Sequence, residues 1–170
     1  MAKKKSSSSG KLMYLIAIVA GVASICMMFM SSMKINGSVF GLSGTTEYSG
    51  LKVVFGHATE NVTYLEFSFM NLLPYLLVVG AVVLCALKLL GVVKAGFMDF
   101  IALGLFVAGA VLFFLTPNFA VLADSFANAF KLANAVKKDM VTKTLGIGAI
   151  LSGAFSAVGA VVILVKGLKK

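Results

Sequence analysis

The stretch that decides the fold of this chain is FSFMNLLPYLLVVGAVVLCAL, which occupies residues 67–87 and contains no charged side chain. A helix needs about 20 apolar residues to cross the hydrocarbon core of a bilayer. Three further runs approach that length, at residues 12–30, 97–116 and 144–165, and the only acidic residue in them, Asp99, lies near one end of its run. The pattern therefore predicts four transmembrane helices.

The overall composition agrees with this prediction and argues against a soluble enzyme. Of the 170 residues, 60% are hydrophobic and 12% are charged, and the mean hydropathy is +1.03. Soluble domains average about 45–50% apolar and about 25% charged residues. A soluble four-helix bundle would need a polar stripe on each helix, and residues 76–87 and 103–115 have none.

The distribution of lysines predicts the orientation of the chain. The formal net charge is +9, from 15 lysines, no arginine and 6 acidic residues. With the N-terminus inside, the inner segments 1–11, 88–96 and 166–170 hold nine lysines, and Asp99, at the inner end of the run 97–116, is the only acidic residue on that side. The outer segments hold six lysines and five acidic residues. This bias follows the positive-inside rule. We therefore expect a multi-pass protein of the plasma membrane with both termini in the cytoplasm, and no nucleic-acid partner.

A cleaved signal peptide is the alternative interpretation of residues 12–30. The apolar run continues without interruption through Met30, and a signal-peptide core is shorter, about 7–15 residues. The length therefore favours a membrane anchor that is retained.

The first outer segment, residues 31–66, has the composition of strands rather than of a membrane helix. Short pieces rich in Val, Thr, Tyr and Phe alternate with glycines, and Asn36-Gly37 is a turn signal. The pattern predicts a three- or four-stranded antiparallel sheet on the outer membrane surface. An irregular loop is the alternative. The predicted strand pieces are Ser38–Phe40, Thr45–Tyr48, Leu51–Phe55 and Val62–Phe67.

The second outer segment, residues 117–143, has the periodicity of an amphipathic helix of about five turns. Pro117 suits the first turn of a helix, and apolar side chains then recur at spacings of three and four, with Phe119, Phe126 and Phe130 as the largest. Such a helix could cover the sheet of its own chain, lie in the membrane surface, or bind a partner protein.

The fourth predicted span carries two ladders of small residues. Such faces allow close approach of another helix, and serine hydroxyls can form hydrogen bonds across the contact. The ladders predict either packing within a bundle of this one chain or an interface with a second copy or another membrane protein. The residues assigned to this packing face are Gly148, Ser152, Ser156, Ala160 and Gly153.

Few residues suggest chemistry. Both cysteines, Cys26 and Cys85, fall in apolar runs, and the single histidine, His57, is expected to be a solvated turn residue near Glu60. One His and one carboxylate do not make a zinc site, which needs three or four ligands. A transporter usually has charged residues or broken helices at mid-depth, and Pro74 lies near the outer end of its run. We therefore predict no catalytic, cofactor or metal site.

The predicted layout resembles that of claudin-like four-helix membrane proteins. The resemblance rests on four helices, inner termini, a β-prone first outer segment and a short helical second one. The claudin motif has Trp and two Cys in the first outer segment, whereas this chain has no Trp and only Gly41-Leu42-Ser43 at the comparable place. Lysine without arginine, together with the FSFMNLLP stretch at residues 67–74, also resembles small membrane proteins of low-GC Gram-positive bacteria.

The expected fold class is a membrane all-α protein, a four-transmembrane-helix bundle with a small extracellular antiparallel β-sheet and an amphipathic extracellular helix. The expected function is non-enzymatic, as a structural or accessory subunit of a cell-envelope membrane complex. Its partners would be the lipid bilayer and either a second copy or another membrane protein. The alternatives are an oligomeric, holin-like pore and an immunity- or receptor-type module that binds an extracellular protein. A lipid-modifying enzyme is disfavoured, since no His, Asp and Ser cluster is evident.

Overall fold

The computed structural model of the protein describes residues 5–39, 42–59, 62–93, 96–136 and 141–168. Within these ranges the chain is mostly helical and carries a small antiparallel sheet. The helices are α1 (Lys5–Cys26), α2 (Gly50–Phe55), α3 (Phe69–Leu89), α4 (Met98–Phe114), α5 (Thr116–Phe119), α6 (Asp124–Val136) and α7 (Ile147–Leu168). The strands are β1 (Ser31–Val39), β2 (Leu42–Ser49), β3 (His57–Thr59), β4 (Val62–Leu65) and β5 (Val141–Leu145).

Among the described residues, three helical segments are long and apolar enough to cross a membrane: Gly10–Phe29, Phe69–Leu89 and Ile147–Leu168. At 1.5 Å per residue, a helix of 20 residues spans about 30 Å, the thickness of the hydrocarbon core. Helix α4 is also apolar but has 17 residues, fewer than the predicted run 97–116. These helices fit a membrane protein.

The described residues form two compact units. The first, here called the helical unit, comprises the described residues of Met1–Cys26, Leu73–Leu112 and Leu151–Lys170. The second, here called the sheet unit, comprises those of Met27–Leu72 and Phe113–Ile150. Each unit has its own buried residues.

Small residues allow the helices of the helical unit to pack around the ring of Phe106, which is fully buried. A Cβ atom added at Gly21 would lie 3.2 Å from this ring, and one added at Gly159 would lie 2.9 Å from it. Real Cβ atoms do not approach closer than about 3 Å, so a side chain at Gly159 would overlap the phenylalanine ring, and one at Gly21 would overlap Val82 and press against the ring. In this interior, one large aromatic ring therefore packs against small residues of the neighbouring helices.

The sheet unit contains two sheets. Strands β2, β1 and β5 form a three-stranded antiparallel sheet in that order, and β3 pairs with β4 in a separate antiparallel hairpin. Lys34 lies opposite Glu47 in one pair of the larger sheet, and Ile35 lies opposite Lys143 in the other. One cluster of buried side chains contains residues from both sheets, from α2 and from the segment after α5, and its members are Met33, Ile35, Tyr48, Val53, Leu65 and Ala120.

The prediction of a strand at Leu51–Phe55 was wrong, because these residues belong to α2. The neighbouring side chains of Val53 and Val54 are both buried, whereas successive side chains of a strand point to opposite faces. The turn of helix ends at Gly56, which has φ +91° and whose N–H donates to the carbonyl of Lys52 at 3.0 Å. Burial of two adjacent valines thus outweighs the β-propensity of this stretch.

The larger sheet also differs from the prediction in its third strand. Residues 31–66 supply only two of its strands, and the third, β5, begins within the predicted segment 117–143. The predicted strand piece Ser38–Phe40 is described only as far as Val39, where β1 ends, and Phe40 lies outside the described residues.

The prediction of a continuous amphipathic helix over residues 117–143 was also wrong. Helix α5 ends at Phe119, and α6 begins only at Asp124. Between them the backbone is extended and pairs with the hairpin, since Glu66 N–H donates to Val121 O at 3.0 Å and Ala123 N–H donates to Tyr64 O at 3.1 Å.

The end of that segment forms a strand rather than a further helical turn. Along Val141–Leu145 (VTKTL) burial alternates as in a half-buried strand: Val141, Lys143 and Leu145 are half-buried, and the two threonines between them are exposed. It pairs with β1, and the last helix therefore begins at Ile147 rather than at Thr144. At the other end of the chain, α1 begins at Lys5, before the predicted run 12–30.

Candidate functional site

An aromatic cluster is the most distinctive feature of the sheet unit. The rings of Tyr48 and His57 meet edge to face with centroids 5.9 Å apart, and the rings of His57 and Tyr64 are stacked at 6.0 Å. The ring of Phe126 meets that of Tyr64 edge to face at 5.5 Å. These are the separations and orientations that aromatic pairs prefer. The four rings thus form one continuous row.

Four different elements bring these rings together. Tyr48 lies near the end of β2, His57 begins β3, Tyr64 lies in β4 and Phe126 lies in the first half of α6. Gly56 precedes His57 with a positive φ, and a Cβ atom there would lie 2.8 Å from the carbonyl oxygen of Leu65. The close approach of the chain to β4 at the edge of the row therefore requires glycine at this position.

The row of rings lines a cavity of about 310 Å³ in the sheet unit. This volume lies at the lower end of the range for small-molecule sites, about 300–1,000 Å³. The lining also includes polar side chains that are exposed to solvent, so the cavity is open. The lining residues besides the four rings are Ile35, Thr46, Glu47, Lys52 and Thr59.

The cavity lining contains one acidic and one basic side chain, Glu47 and Lys52. The carboxylate of Glu47 lies 2.6 Å from the ammonium of Lys34, its partner across the strands. The hydrogen bond from Lys34 holds the pKa of Glu47 below its usual value. Burial, together with the neighbouring phenol of Tyr64, raises the pKa of Tyr48. The phenol of Tyr48 is therefore neutral at neutral pH.

A buried ionic cluster lies in the helical unit. The carboxylate of Asp99 accepts hydrogen bonds from Tyr14 and Lys88 at one oxygen and from Lys166 at the other, each at 2.7 Å. The side chains of Lys88 and Asp99 are 6% exposed, and that of Lys166 is 11% exposed. The ammonium group of Lys166 also lies 4.2 Å from the centre of the Tyr14 ring, a cation–π contact.

This ionic cluster takes one residue from each of the helices α1, α3, α4 and α7. Buried charges are costly unless they are paired and hydrogen-bonded, and here one carboxylate serves two ammonium groups and one hydroxyl. The arrangement ties the four helices together at one level. The sequence predicted that Lys88 and Asp99 lie near the same end of their helices. It did not reveal Tyr14 and Lys166 as partners of Asp99, because those lie 85 and 67 residues from it along the chain.

Serines of the predicted packing face contact other helices of the helical unit. The hydroxyl of Ser152 donates to Ser24 O at 2.9 Å, and the hydroxyl of Ser24 donates to Ser152 O at 2.7 Å. The hydroxyl of Ser156 donates to Phe106 O at 2.8 Å. All three serines are fully buried. In this unit they therefore serve contacts within the chain.

The remaining members of that face are placed as follows. Ala160 and Gly153 are buried in the helical unit. Gly148 belongs to the sheet unit, where an added Cβ atom would lie 2.9 Å from the carbonyl oxygens of Met30 and Ser31. Glycine at 148 therefore permits a close backbone approach.

The three phenylalanines of the predicted amphipathic helix do not lie on one helix. Phe119 ends α5, and its carbonyl accepts a hydrogen bond from the Ser68 hydroxyl at 2.7 Å. Phe126 lies in α6 and lines the cavity. Phe130 is also in α6, but its side chain lies outside the described part of the chain.

The sequence did not indicate the aromatic cluster. His57 was expected to be a solvated turn residue, which was wrong, since it begins a strand and is partly buried between two tyrosine rings. The available signal was the concentration of Tyr48, His57 and Tyr64 within 17 residues of the sequence. These side chains come together because of the turn at Gly56 and the position of α6, and neither can be predicted from their spacing along the sequence.

Within the described ranges, no three His, Cys, Asp or Glu side chains lie close enough together to hold a metal ion. Comparisons of the chain with protein-family models, with curated proteins and with solved structures found no match. The function is therefore argued from the geometry of the two units alone.

Proposed function

We propose that this chain is a multi-pass protein of the plasma membrane with four spans and both termini in the cytoplasm. The three long apolar helices support this topology, as does α4, which is apolar and shorter. The lysine bias supports the orientation. The ionic cluster supports a four-helix bundle, because one residue of each of the four apolar helices takes part in it.

In this topology, the strands and α6 belong to segments on the outer side of the membrane. The protein acts as a non-enzymatic accessory subunit of the cell envelope, and the sheet unit is the part that recognises another component. The single observation that carries this function is the open cavity lined by four aromatic rings in the sheet unit. Pockets with ring surfaces and a few polar groups are the usual form of binding sites.

The contacts of the helix faces indicate that recognition belongs to the sheet unit rather than to the helices. The serines of α7 and α1 form hydrogen bonds within the chain. Exposed positions on the same helices carry apolar side chains such as Val19, Val22 and Val158, which suit contact with lipid. A holin-like pore would need polar side chains on such faces, so the observations favour the accessory subunit.

A receptor- or immunity-type module is the second candidate function. The open cavity favours it as well, because it would receive part of the bound molecule. The two candidates differ in their partner, since an accessory subunit binds a resident membrane protein and a receptor binds a molecule that arrives from outside.

Site-specific photo-crosslinking in native membranes tests the proposed function. A photoreactive residue replaces Thr46, which is exposed and lines the cavity, and in the control it replaces Asn128, which is exposed on α6. We expect one discrete adduct from position 46 that disappears with Tyr64→Ala, and none from position 128. The same products from both positions, or no adduct at 46, would contradict the proposal. An adduct with a membrane protein supports the subunit, and one with an added extracellular protein supports the receptor.

A further inference from the structure

Two exposed aromatic rings, here called the ring pair, lie outside the cavity of the sheet unit. Phe55 ends α2, and Phe67 lies in the segment between β4 and α3, with the two ring centroids 6.4 Å apart. Phe55 is 58% exposed and Phe67 is 53% exposed, and neither ring lines the cavity. Aromatic side chains gain free energy when their apolar surface leaves water. The ring pair therefore needs an apolar environment that the described part of the chain does not provide.

Helix α2 holds Phe55 on its exposed side. Val53 and Val54 are buried, and the other exposed residue of this helix is Lys52. The two buried valines fix the rotation of the helix, because turning Phe55 inward would withdraw a valine from the interior. An aromatic ring beside a lysine is typical of segments at a membrane surface, where the ring enters the apolar layer and the ammonium stays among the headgroups.

Backbone hydrogen bonds tie both ends of α2 to the ends of two long apolar segments. Gly50 N–H donates to Met30 O at 3.1 Å, directly after the first apolar segment that is long enough to cross a membrane. Ser68 N–H donates to Val54 O at 2.8 Å, directly before α3, which is another such segment. All four of these residues belong to the sheet unit. Helix α2 therefore lies level with the ends of two apolar segments, which in the proposed topology is the membrane boundary.

Further exposed apolar side chains mark the ends of these two segments. Phe29, the last residue of the first segment, is 73% exposed, and Phe69 and Met70 at the start of α3 are exposed as well. Outward-facing aromatic side chains at the ends of membrane spans lie at the level of the lipid headgroups. Lipid at the same level is the apolar cover that the ring pair requires.

We propose that α2 rests on the outer leaflet of the membrane and that Phe55 and Phe67 bind lipid at the boundary between headgroups and acyl chains. Apolar faces that bind lipid in this way enter that boundary by about 5–10 Å. The proposal rests on the proposed function, because it requires α3 to span the membrane with its first residues outside. Lys52, one helical turn before Phe55, lines the cavity, so one edge of the cavity lies close to the lipid surface.

Fluorescence quenching by brominated phospholipids tests the inference. The chain contains no tryptophan, so Phe55→Trp places the only indole of the protein in the ring pair. The full chain is reconstituted in nanodiscs of phosphatidylcholine with no bromine, with bromine near the headgroup end of one acyl chain, or with bromine near its methyl end. We expect about twofold quenching by the shallow bromine and less by the deep one, as the depth of an interfacial segment predicts. Phe67→Trp should behave in the same way.

Two further single-tryptophan variants are the controls. Thr45→Trp changes an exposed residue of β2 that lies four residues, about 13 Å of strand, before the end of β2 at Ser49. Its emission should not be quenched by either lipid. Leu76→Trp changes an exposed apolar residue of α3, and its emission should be quenched because α3 spans the membrane in the proposed topology.

The outcomes separate this inference from the proposed function. Quenching of Leu76→Trp without quenching of Phe55→Trp would overturn the inference and leave the proposed function standing. Emission of that unquenched indole at the short wavelengths of a buried site would then mean that a second copy or another protein covers the ring. Equal quenching of Phe55→Trp and Thr45→Trp would also overturn the inference, because the contact would not be specific to the ring pair. Absence of quenching for Leu76→Trp would contradict the proposed span and, with it, the inference.

Discussion

At the scale of single residues, Asp99 is the most consequential charged group of the helical unit. Its carboxylate accepts hydrogen bonds from Tyr14, Lys88 and Lys166 in a nearly dry environment. The sequence identified Asp99 as the acidic residue of the inner segments, but not as a shared partner. Burial and contacts between helices that are distant in sequence belong to the tertiary structure, and no local sequence pattern predicts them.

Replacement of Asp99 by Asn should strongly destabilise the protein. The change leaves Lys88 and Lys166 buried without their counter-charge, and removal of one partner from a buried ion pair costs about 3–5 kcal/mol. Thermal unfolding in detergent measures the effect as a large fall in Tm. The control is Asp124→Asn, which changes an exposed acid in the first turn of α6 and should cost less than about 1 kcal/mol. Equal Tm values for the two variants would show that the ionic cluster does not stabilise the fold.

At the scale of elements, the sequence predicted the apolar helices well and the segments between them less well. A membrane helix is specified by length and hydropathy, which are local and additive properties. The stretch at Leu51–Phe55 has β-propensity but forms α2, in which the adjacent Val53 and Val54 are both buried. The strand Val141–Leu145 was missed since its partner β1 lies more than 100 residues earlier.

The packing face of α7 gives a prediction at this scale. Ser152→Leu should disrupt the contact with α1, because the larger side chain replaces a fully buried hydroxyl that exchanges hydrogen bonds with Ser24. Overpacking of this kind typically costs about 1–3 kcal/mol. Thermal unfolding in detergent and size-exclusion chromatography measure stability and assembly.

The matched control for this test is Val158→Leu, an exposed apolar position on the same helix. It should leave both Tm and elution volume unchanged. If Ser152→Leu also leaves both unchanged, the close contact between α7 and α1 is not required. If Ser152→Leu changes only the elution volume, the face serves assembly of several chains rather than packing within one.

At the scale of the whole molecule, composition and charge predicted a membrane protein and its orientation, but they did not predict the candidate site. The aromatic row takes its residues from β2 of the larger sheet, from both strands of the β3–β4 hairpin and from α6. Its members are unremarkable in the sequence, where Tyr48 and Tyr64 are typical strand residues. The hydrophobic excess thus describes the helices, and the specific function depends on the fewer residues of the sheet unit.

The most direct test of the central claim is the sidedness of the two units in intact cells. With Cys26 and Cys85 replaced by Ala, a single cysteine is placed at Thr45, exposed on β2, or at Gly167, exposed near the end of α7. A membrane-impermeant maleimide should label Thr45→Cys in intact cells, and Gly167→Cys only after the membrane is permeabilised. The reverse pattern, or labelling of both positions in intact cells, would contradict the proposed topology.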